Sequence, residues 1–230
     1  MKIFLRACLA LAALTLLGST PAVAQLDKIS NQDANAGLKA ALEKGSQAAV
    51  AALGKKDGFL GNGAVKIPLP DSLKRYEKLM RNVGMGKYAD ELILTMNRAA
   101  EAAVPEAKVL LVDAVKKMTL QDAKGILTGG NTAGTEYFKR TTSEPLRGKF
   151  LPIVQQATKK VQLAEKYNQY ADKGAKFGLV KKEDANLDSY VTQKALDGLF
   201  YMVAEEEKKI RANPVKAGSD ILKKVFGALK

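Results

Sequence analysis

The sequence predicts an all-α protein, a single-domain bundle of about eight or nine helices with one long apolar loop rich in glycine and proline. Three observations carry this. Apolar residues recur at 3.6-residue spacing along most of the chain. Strand-like alternation is nearly absent; it is confined to Val65-Lys66-Ile67-Pro68-Leu69, where Pro68 and the following Pro70 favour an extended edge or a polyproline segment. Cap and stop residues bracket the periodic stretches.

Residues 1–24 read as a secretory signal peptide. Lys2 and Arg6 charge its start, Ala7 to Leu17 form a short apolar run, and Ala22-Val23-Ala24 is a small-x-small cleavage site. Cleavage before Gln25 leaves 25–230 as a single helical domain. Residues 25–53 are alanine-rich, with Leu38, Leu42, Val50 and Leu53 near one face; they suit an N-terminal helix that is only loosely attached. From Gly54 to Pro70 the chain reads as a loop, yet Phe59, Leu60, Val65, Ile67 and Leu69 are too apolar for a solvated one and imply packing across the core.

Asp71 or Ser72 can cap a helix beginning near Leu73, which stops at Gly84-Met85-Gly86. The next runs from about 87 to 104, with Leu92, Met96, Ala99, Ala100 and Ala103 on one face, and Pro105 opens a new helix after it. Thr119-Leu120-Gln121-Asp122 resembles a capping box, and Gly129-Gly130 ends the helix it starts. Ser143-Glu144-Pro145 reads as a further start. The helix that follows carries Leu146, Phe150, Ile153, Ala157, Val161, Ala164 and Ala171, and is bent where Pro152 lacks an amide for Gly148. A second long loop spans about 173–187. Leu187-Asp188-Ser189 opens a helix striped by Val191, Ala195, Leu199, Met202, Val203 and Ile210, ending at Asn213-Pro214, and Ser219-Asp220 begins a last short one.

Composition narrows the chemistry. The chain has no histidine, no tryptophan and one cysteine, Cys8, which lies within the signal. Cys8 precedes the apolar run rather than ending it, so it does not suit a lipid anchor. The mature chain would fold without disulfides. Without histidine or cysteine there is no Ser-His-Asp triad, no Cys-His pair and no zinc site of the usual nitrogen and sulfur ligands. Neither a nucleophile elbow nor a phosphate-binding Walker loop occurs, and no cofactor is implied. Loss of Lys2 and Arg6 from the 37 basic residues leaves 35 against 24 acidic ones, a net charge of +11 that hardly changes between about pH 5 and 8. Such a charge favours anionic partners, or simply a lysine-rich soluble surface. Basic doublets from Lys55-Lys56 to Lys223-Lys224 are dispersed along the chain, aromatic interleaving is thin, and nucleic acid is not indicated.

Three constellations could carry function. Glu206, in Glu205-Glu206-Glu207, falls between Val203 and Ile210 on the apolar stripe. A carboxylate there either pairs with an arginine or caps a neighbouring helix, or stays protonated as a general acid requires. Glu205 and Glu207 are placed for solvated pairs with Lys208, Lys209 and Arg211. For carboxylate hydrolysis, Glu206 with Glu101 or Asp197 is the best available set, and would need two carboxyls across one cleft. Asn97 lies on a core face and needs backbone partners, beside the Arg98–Glu101 pair. Thr128, Gly129, Gly130 and Thr132, with Arg140, could cradle an anion at a helix start, or simply form a glycine stop and a capped restart.

Several of these segments together resemble an uncharacterised bacterial family. They are Gly58-Phe59-Leu60-Gly61-Asn62, Lys66-Ile67-Pro68-Leu69-Pro70, Met96-Asn97-Arg98-Ala99-Ala100-Glu101, Leu127-Thr128-Gly129-Gly130, Lys194-Ala195-Leu196-Asp197-Gly198-Leu199-Phe200, and the run from Glu205 to Pro214. The family is domain-of-unknown-function family 4197 of Gram-negative bacteria, which the chain resembles in order from about residue 26 to 227. The resemblance implies a helical, exported envelope protein and carries no catalytic residues or cofactor. The resulting expectation is a periplasmic (or secreted) non-catalytic protein that binds a protein partner or an anionic lipid or glycan surface. The alternatives are a carboxylate hydrolase of envelope polymers and a helical carrier of an apolar ligand.

Overall fold

The computed structural model describes residues 31–161, 163–168 and 186–213. The signal segment, the second long loop and the start at Ser219-Asp220 lie outside them. Among the described residues there are seven α-helices and no strand. They are α1 (Asn31–Leu53), α2 (Asp71–Asn82), α3 (Gly86–Ala103), α4 (Ala107–Lys117), α5 (Leu120–Thr128), α6 (Ala133–Thr158) and α7 (Leu187–Ala212). A 3-10 turn, Val104–Glu106, joins α3 to α4 with Pro105 in its first turn, and 163–168 is a further short helical segment.

The two 26-residue helices α6 and α7 pack on each other at the centre. Helix α1 lies on α7 and α4, and α3 lies on α6 and α7. The composition of α1 allows a loose attachment; in the structure it seats Leu38, Leu42, Ala49 and Leu53 in the core. Among the described residues, Phe59, Phe138 and Phe150 are the largest side chains wholly removed from water. Each contributes roughly 1.5–3 kcal/mol relative to exposure.

The capping box at the start of α5 is present in full. The Thr119 hydroxyl oxygen accepts from the Asp122 amide at 3.1 Å, and the Asp122 carboxylate accepts from the Thr119 amide at 3.2 Å. Helix α7 is capped by Asn186, whose side-chain oxygen accepts from the Ser189 amide. Helix α2 differs from expectation: it begins at Asp71, so the cap position falls on Pro70, whose side chain has no acceptor, and Ser72 lies inside the helix with its hydroxyl 2.9 Å from that of Tyr167.

The larger correction is at Ser143-Glu144-Pro145, which starts nothing. Helix α6 begins ten residues earlier and runs through both Pro145 and Pro152. Its buried face explains this: Phe138, Thr142, Leu146, Phe150 and Val154, spaced four apart, are all at most 3% exposed. Continuous burial of that stripe outweighs about 3 kcal/mol per internal proline. The helix stops at Thr158 rather than continuing towards residue 172; the Thr158 hydroxyl donates to Asp188 at the foot of α7.

The 54–70 loop packs across the core as its composition requires. Phe59 is fully buried and Val65, Ile67 and Leu69 nearly so. Two glycines permit its path. Gly58 follows Asp57, which holds a φ of 65°, and a Cβ on Gly58 would stand 2.4 Å from the Leu53 carbonyl oxygen. On α7, a Cβ at Gly198 would stand 2.6 Å from the Phe59 ring, so that glycine makes the seat for the loop's aromatic anchor.

Candidate functional site

Two polar knots and one groove hold the chemistry of this fold. The first knot straps the 54–70 loop to α3. Asn97, wholly buried, accepts from the Ile67 amide at 2.9 Å and donates to the Ile67 carbonyl at 2.9 Å and the Ile93 carbonyl at 2.8 Å. One carboxamide thus satisfies both main-chain polar groups of a buried residue, as the sequence requires of an amide on that face. One turn later, Glu101 accepts from the Phe59 and Leu60 amides at 3.0 and 3.1 Å. Arg98 bridges Glu101 at 2.5 Å to Asp57 at 2.7 Å. From α7, the Tyr190 hydroxyl donates to the Pro68 carbonyl at 3.0 Å.

The second knot corrects the reading of the glutamate run. Glu206 is not the buried carboxylate; it is partly exposed and pairs with Lys209 at 2.7 Å. Glu207, expected in solvent, is the buried one. Its carboxylate accepts from the Gly134 amide at 2.9 Å and from the Thr135 amide and hydroxyl, both at 2.8 Å. Arg211, one turn along α7, closes the cluster at 2.8 Å and also donates to the Ile126 carbonyl. The carboxylate therefore sits at the amino end of α6, where unpaired amides and the helix dipole favour an anion. Gly134 admits it: a Cβ there would meet Leu42 at 2.4 Å and Glu207 at 3.1 Å.

The residues considered for an anion cradle lie around that same junction. The Thr128 hydroxyl donates to the Lys124 carbonyl of its own helix, and Gly129 is the C-cap of α5. Gly130, Thr132 and Arg140 line an open hollow of about 540 Å³ together with Asp122 and Glu136. Arg140 lies 3.1 Å from Asp122 and 5.6 Å from the Tyr137 ring centre. The Asp122 carboxyl is held below the usual aspartate range, first by the Thr119 hydroxyl and then by the Thr119 amide. The helix-start amides at Gly134 and Thr135 already hold an internal anion, Glu207.

The carboxylates proposed for hydrolysis are engaged separately. Glu101 holds the strap and Glu206 holds Lys209. Asp197 accepts from Gln193 at 2.8 Å and lines a different concavity, one whose walls include neither glutamate. Among the described residues there is no group of three or more carboxylates, histidines or cysteines that could hold a metal ion. No helix among them is long and apolar enough to cross a membrane. The apolar crevice between α1 and α7, lined by Leu38, Leu42, Val203 and Ile210, measures about 10 Å³, room for no more than one water.

The groove that contains Asp197 is the most spacious of these features, about 700 Å³, between the strap, the start of α2 and the outer face of α7. Its walls carry Lys66, Lys74 and Lys194, the rings of Tyr190 and Tyr201, and the Asp71 and Asp197 carboxylates. Lys74 lies 2.7 Å from Asp71, and Lys194 lies 4.0 Å from Asp197 and 5.7 Å from the Tyr190 ring centre. The Asp71 hydrogen bond and charge raise the Lys74 ammonium above the usual lysine range. Composition and periodicity do not single out this groove, because its lining comes from two segments far apart in sequence, 64–74 and 190–201. That Gly198 on α7 faces the apolar loop is visible only in the structure.

No curated protein and no solved structure matches the chain. A match to the family model of the proteins of unknown function DUF4197 covers residues 28–227, and the chain belongs to that family.

Proposed function

We propose that this is a non-catalytic binding protein of the bacterial envelope, and that the groove between the strap and α7 takes an acidic glycan. The observation that carries the reading is the mixed lining of that groove: three lysines, the exposed Tyr201 ring beside the largely buried Tyr190, and two carboxylates within one concavity. Lysines suit the acidic groups of such a polymer, tyrosine faces suit the apolar faces of sugar rings, and carboxylates accept from hydroxyls. Two further observations support it. Glu101 and Glu207, the two buried carboxylates among the described residues, are tied to backbone amides and arginines, so they serve as structural bonds. The chain's net charge of +13, or +11 after loss of the leader, would draw anionic polymers towards the surface.

The test is direct binding of soluble acidic polysaccharides and of neutral ones of the same length, at low and near-physiological salt. Binding confined to the acidic polymers and weakened by salt supports the reading. Equal binding of neutral polymers, or none of either, removes it.

A further inference from the structure

We infer that the groove between the strap and α7 selects an acidic glycan whose carboxylates are set apart by neutral sugars, and turns away polymers charged at every unit. The inference rests on the reading of this groove as a glycan site and names the charge spacing of its ligand. It is carried by the sum of the lining's charges. Three lysines stand against two carboxylates, Asp71 and Asp197, so the concavity holds a net charge of only +1. The chain as a whole is strongly basic, at +13, yet its most spacious groove is close to balanced.

The two carboxylates are built in beside two of the lysines. Lys74 follows Asp71 by three residues on α2 and lies 2.7 Å from it; Asp197 follows Lys194 by three on α7 and lies 4.0 Å from it. Residues at that spacing are neighbours on one helix face, so each acid stays beside its lysine however the long side chain turns. The four side chains are between 45% and 73% exposed, so the pairs are weak and a ligand can compete for either lysine. The acids' charges remain in the concavity when it does. A ligand anion at Lys74 or Lys194 therefore meets an acid within the same turn of helix. A sugar hydroxyl in that place donates to the acid and accepts from the lysine. Asp197 already accepts in this way from the Gln193 carboxamide at 2.8 Å.

Lys66 differs from both. The strap from Ala64 to Leu69 carries no acid, and Lys66 forms no ion pair among the described residues. Asp90 of α3 feels its charge, but lies outside the groove lining and is bonded to Arg81 at 2.5 Å. The backbone around Lys66 is held still. Val65 and Ile67 are buried on either side, Asn97 bonds both main-chain polar groups of Ile67, and the Pro68 carbonyl accepts from Tyr190. The ammonium is thus presented from a preformed edge, which lowers the cost of binding. One cation with no acid of its own, two lysine–acid pairs suited to hydroxyls and the exposed Tyr201 ring match one carboxylate followed by neutral units. A polymer charged at every unit would bring further carboxylates up to Asp71 or Asp197, and like charges at close range oppose it.

The test compares two soluble oligosaccharides of equal length by titration calorimetry at near-physiological salt. One alternates a uronate with a neutral N-acetylhexosamine, as hyaluronan does; the other carries a uronate at every position, as oligogalacturonate does. The alternating chain should bind the parent protein at least about fivefold more tightly. Lys66→Gln should weaken its binding about tenfold, and Lys74→Gln or Lys194→Gln less than about threefold. Asp71→Asn with Asp197→Asn should raise affinity for the fully charged chain at least about fivefold, leave the alternating chain within about twofold, and keep far-UV circular dichroism unchanged. Asp113→Asn with Glu144→Gln removes the same charge from exposed sites outside the groove, and should keep the ratio between the two chains as it is in the parent protein. A fully charged chain that binds the parent protein as tightly as the alternating one overturns the inference, as does a groove double variant whose ratio matches that of the surface control; the glycan reading survives either. Binding of neither chain overturns both.

Discussion

Glu207→Ala is the perturbation with the largest consequence this fold predicts. Four donors converge on the Glu207 carboxylate: the Gly134 amide, the Thr135 amide and hydroxyl, and Arg211. Removing the carboxylate leaves the first turn of α6 without its internal anion and strands a guanidinium whose side chain is only 11% exposed. Breaking one side of a buried ion pair costs about 3–5 kcal/mol, and the helix-end bonds belong to the same cluster, so they are not added again. For a chain of this size that corresponds to a fall in Tm of roughly 6–20 °C. Glu206→Ala is the control one residue away. Its partner is an exposed lysine, so its cost should stay within about 0.5 kcal/mol. The assay is urea unfolding followed by far-UV circular dichroism, with the Glu207→Gln and Arg211→Met variants completing a cycle. The double variant should lose less than the sum of the singles. If Glu207→Ala costs under about 1 kcal/mol, or Glu206→Ala costs as much, the clamp is wrongly placed.

Three further outcomes are expected. Asn97→Ala should cost about 2–4 kcal/mol, because both main-chain polar groups of Ile67 lose their partner, and hydrogen exchange at the Ile67 amide should accelerate selectively. Gly58→Ala should cost about 2–4 kcal/mol, since its methyl would press on the Leu53 carbonyl oxygen, which is backbone and cannot swing aside; Gly63→Ala, with open space around it, should be nearly silent. Thr119→Val should cost about 1 kcal/mol at neutral pH through loss of the capping box. Asp122 has its pKa depressed in the folded state, so its stabilisation is present above the usual aspartate range and disappears as pH falls through the lowered value. The gap between Thr119→Val and the parent protein should therefore be flat across about pH 5–8 and shrink in acid.

Much of this fold was legible because local signals and packing agree. The glycine stop at Gly54, the Thr119 box and the amide requirement of Asn97 each follow from rules acting within a turn or two of chain. Signals failed where a long-range requirement overrode a local one. Pro145 reads as a helix start, yet the stripe from Phe138 to Val154 is buried without interruption and carries the helix across it. Glu206 and Glu207 lie 100° apart on α7, and the apolar series from Val191 to Ile210 centres on Glu206. Counting Leu196 and Phe200, both buried, turns the centre of the stripe towards Glu207. The anion that the glycine pair seemed to invite from outside is supplied from within the chain, 73 residues away. Such a pairing has no signature in the spacing of either segment. The groove is hidden for the same reason: Lys66 and Lys74 join Lys194 in one concavity only when the strap crosses α7.

The claim that matters most for function is that the groove recognises an acidic polymer. It is tested most directly by titrating a soluble acidic polysaccharide into the parent protein and into a Lys66→Gln, Lys74→Gln, Lys194→Gln variant at low salt. All three lysines are solvent-facing, so the variant should fold normally. The account predicts saturable binding to the parent protein and at least about a tenfold loss in the variant, beyond what removal of three of the chain's other exposed lysines produces. Equal affinity of the groove variant and a matched surface-lysine variant would show that only overall charge is read, and would contradict it.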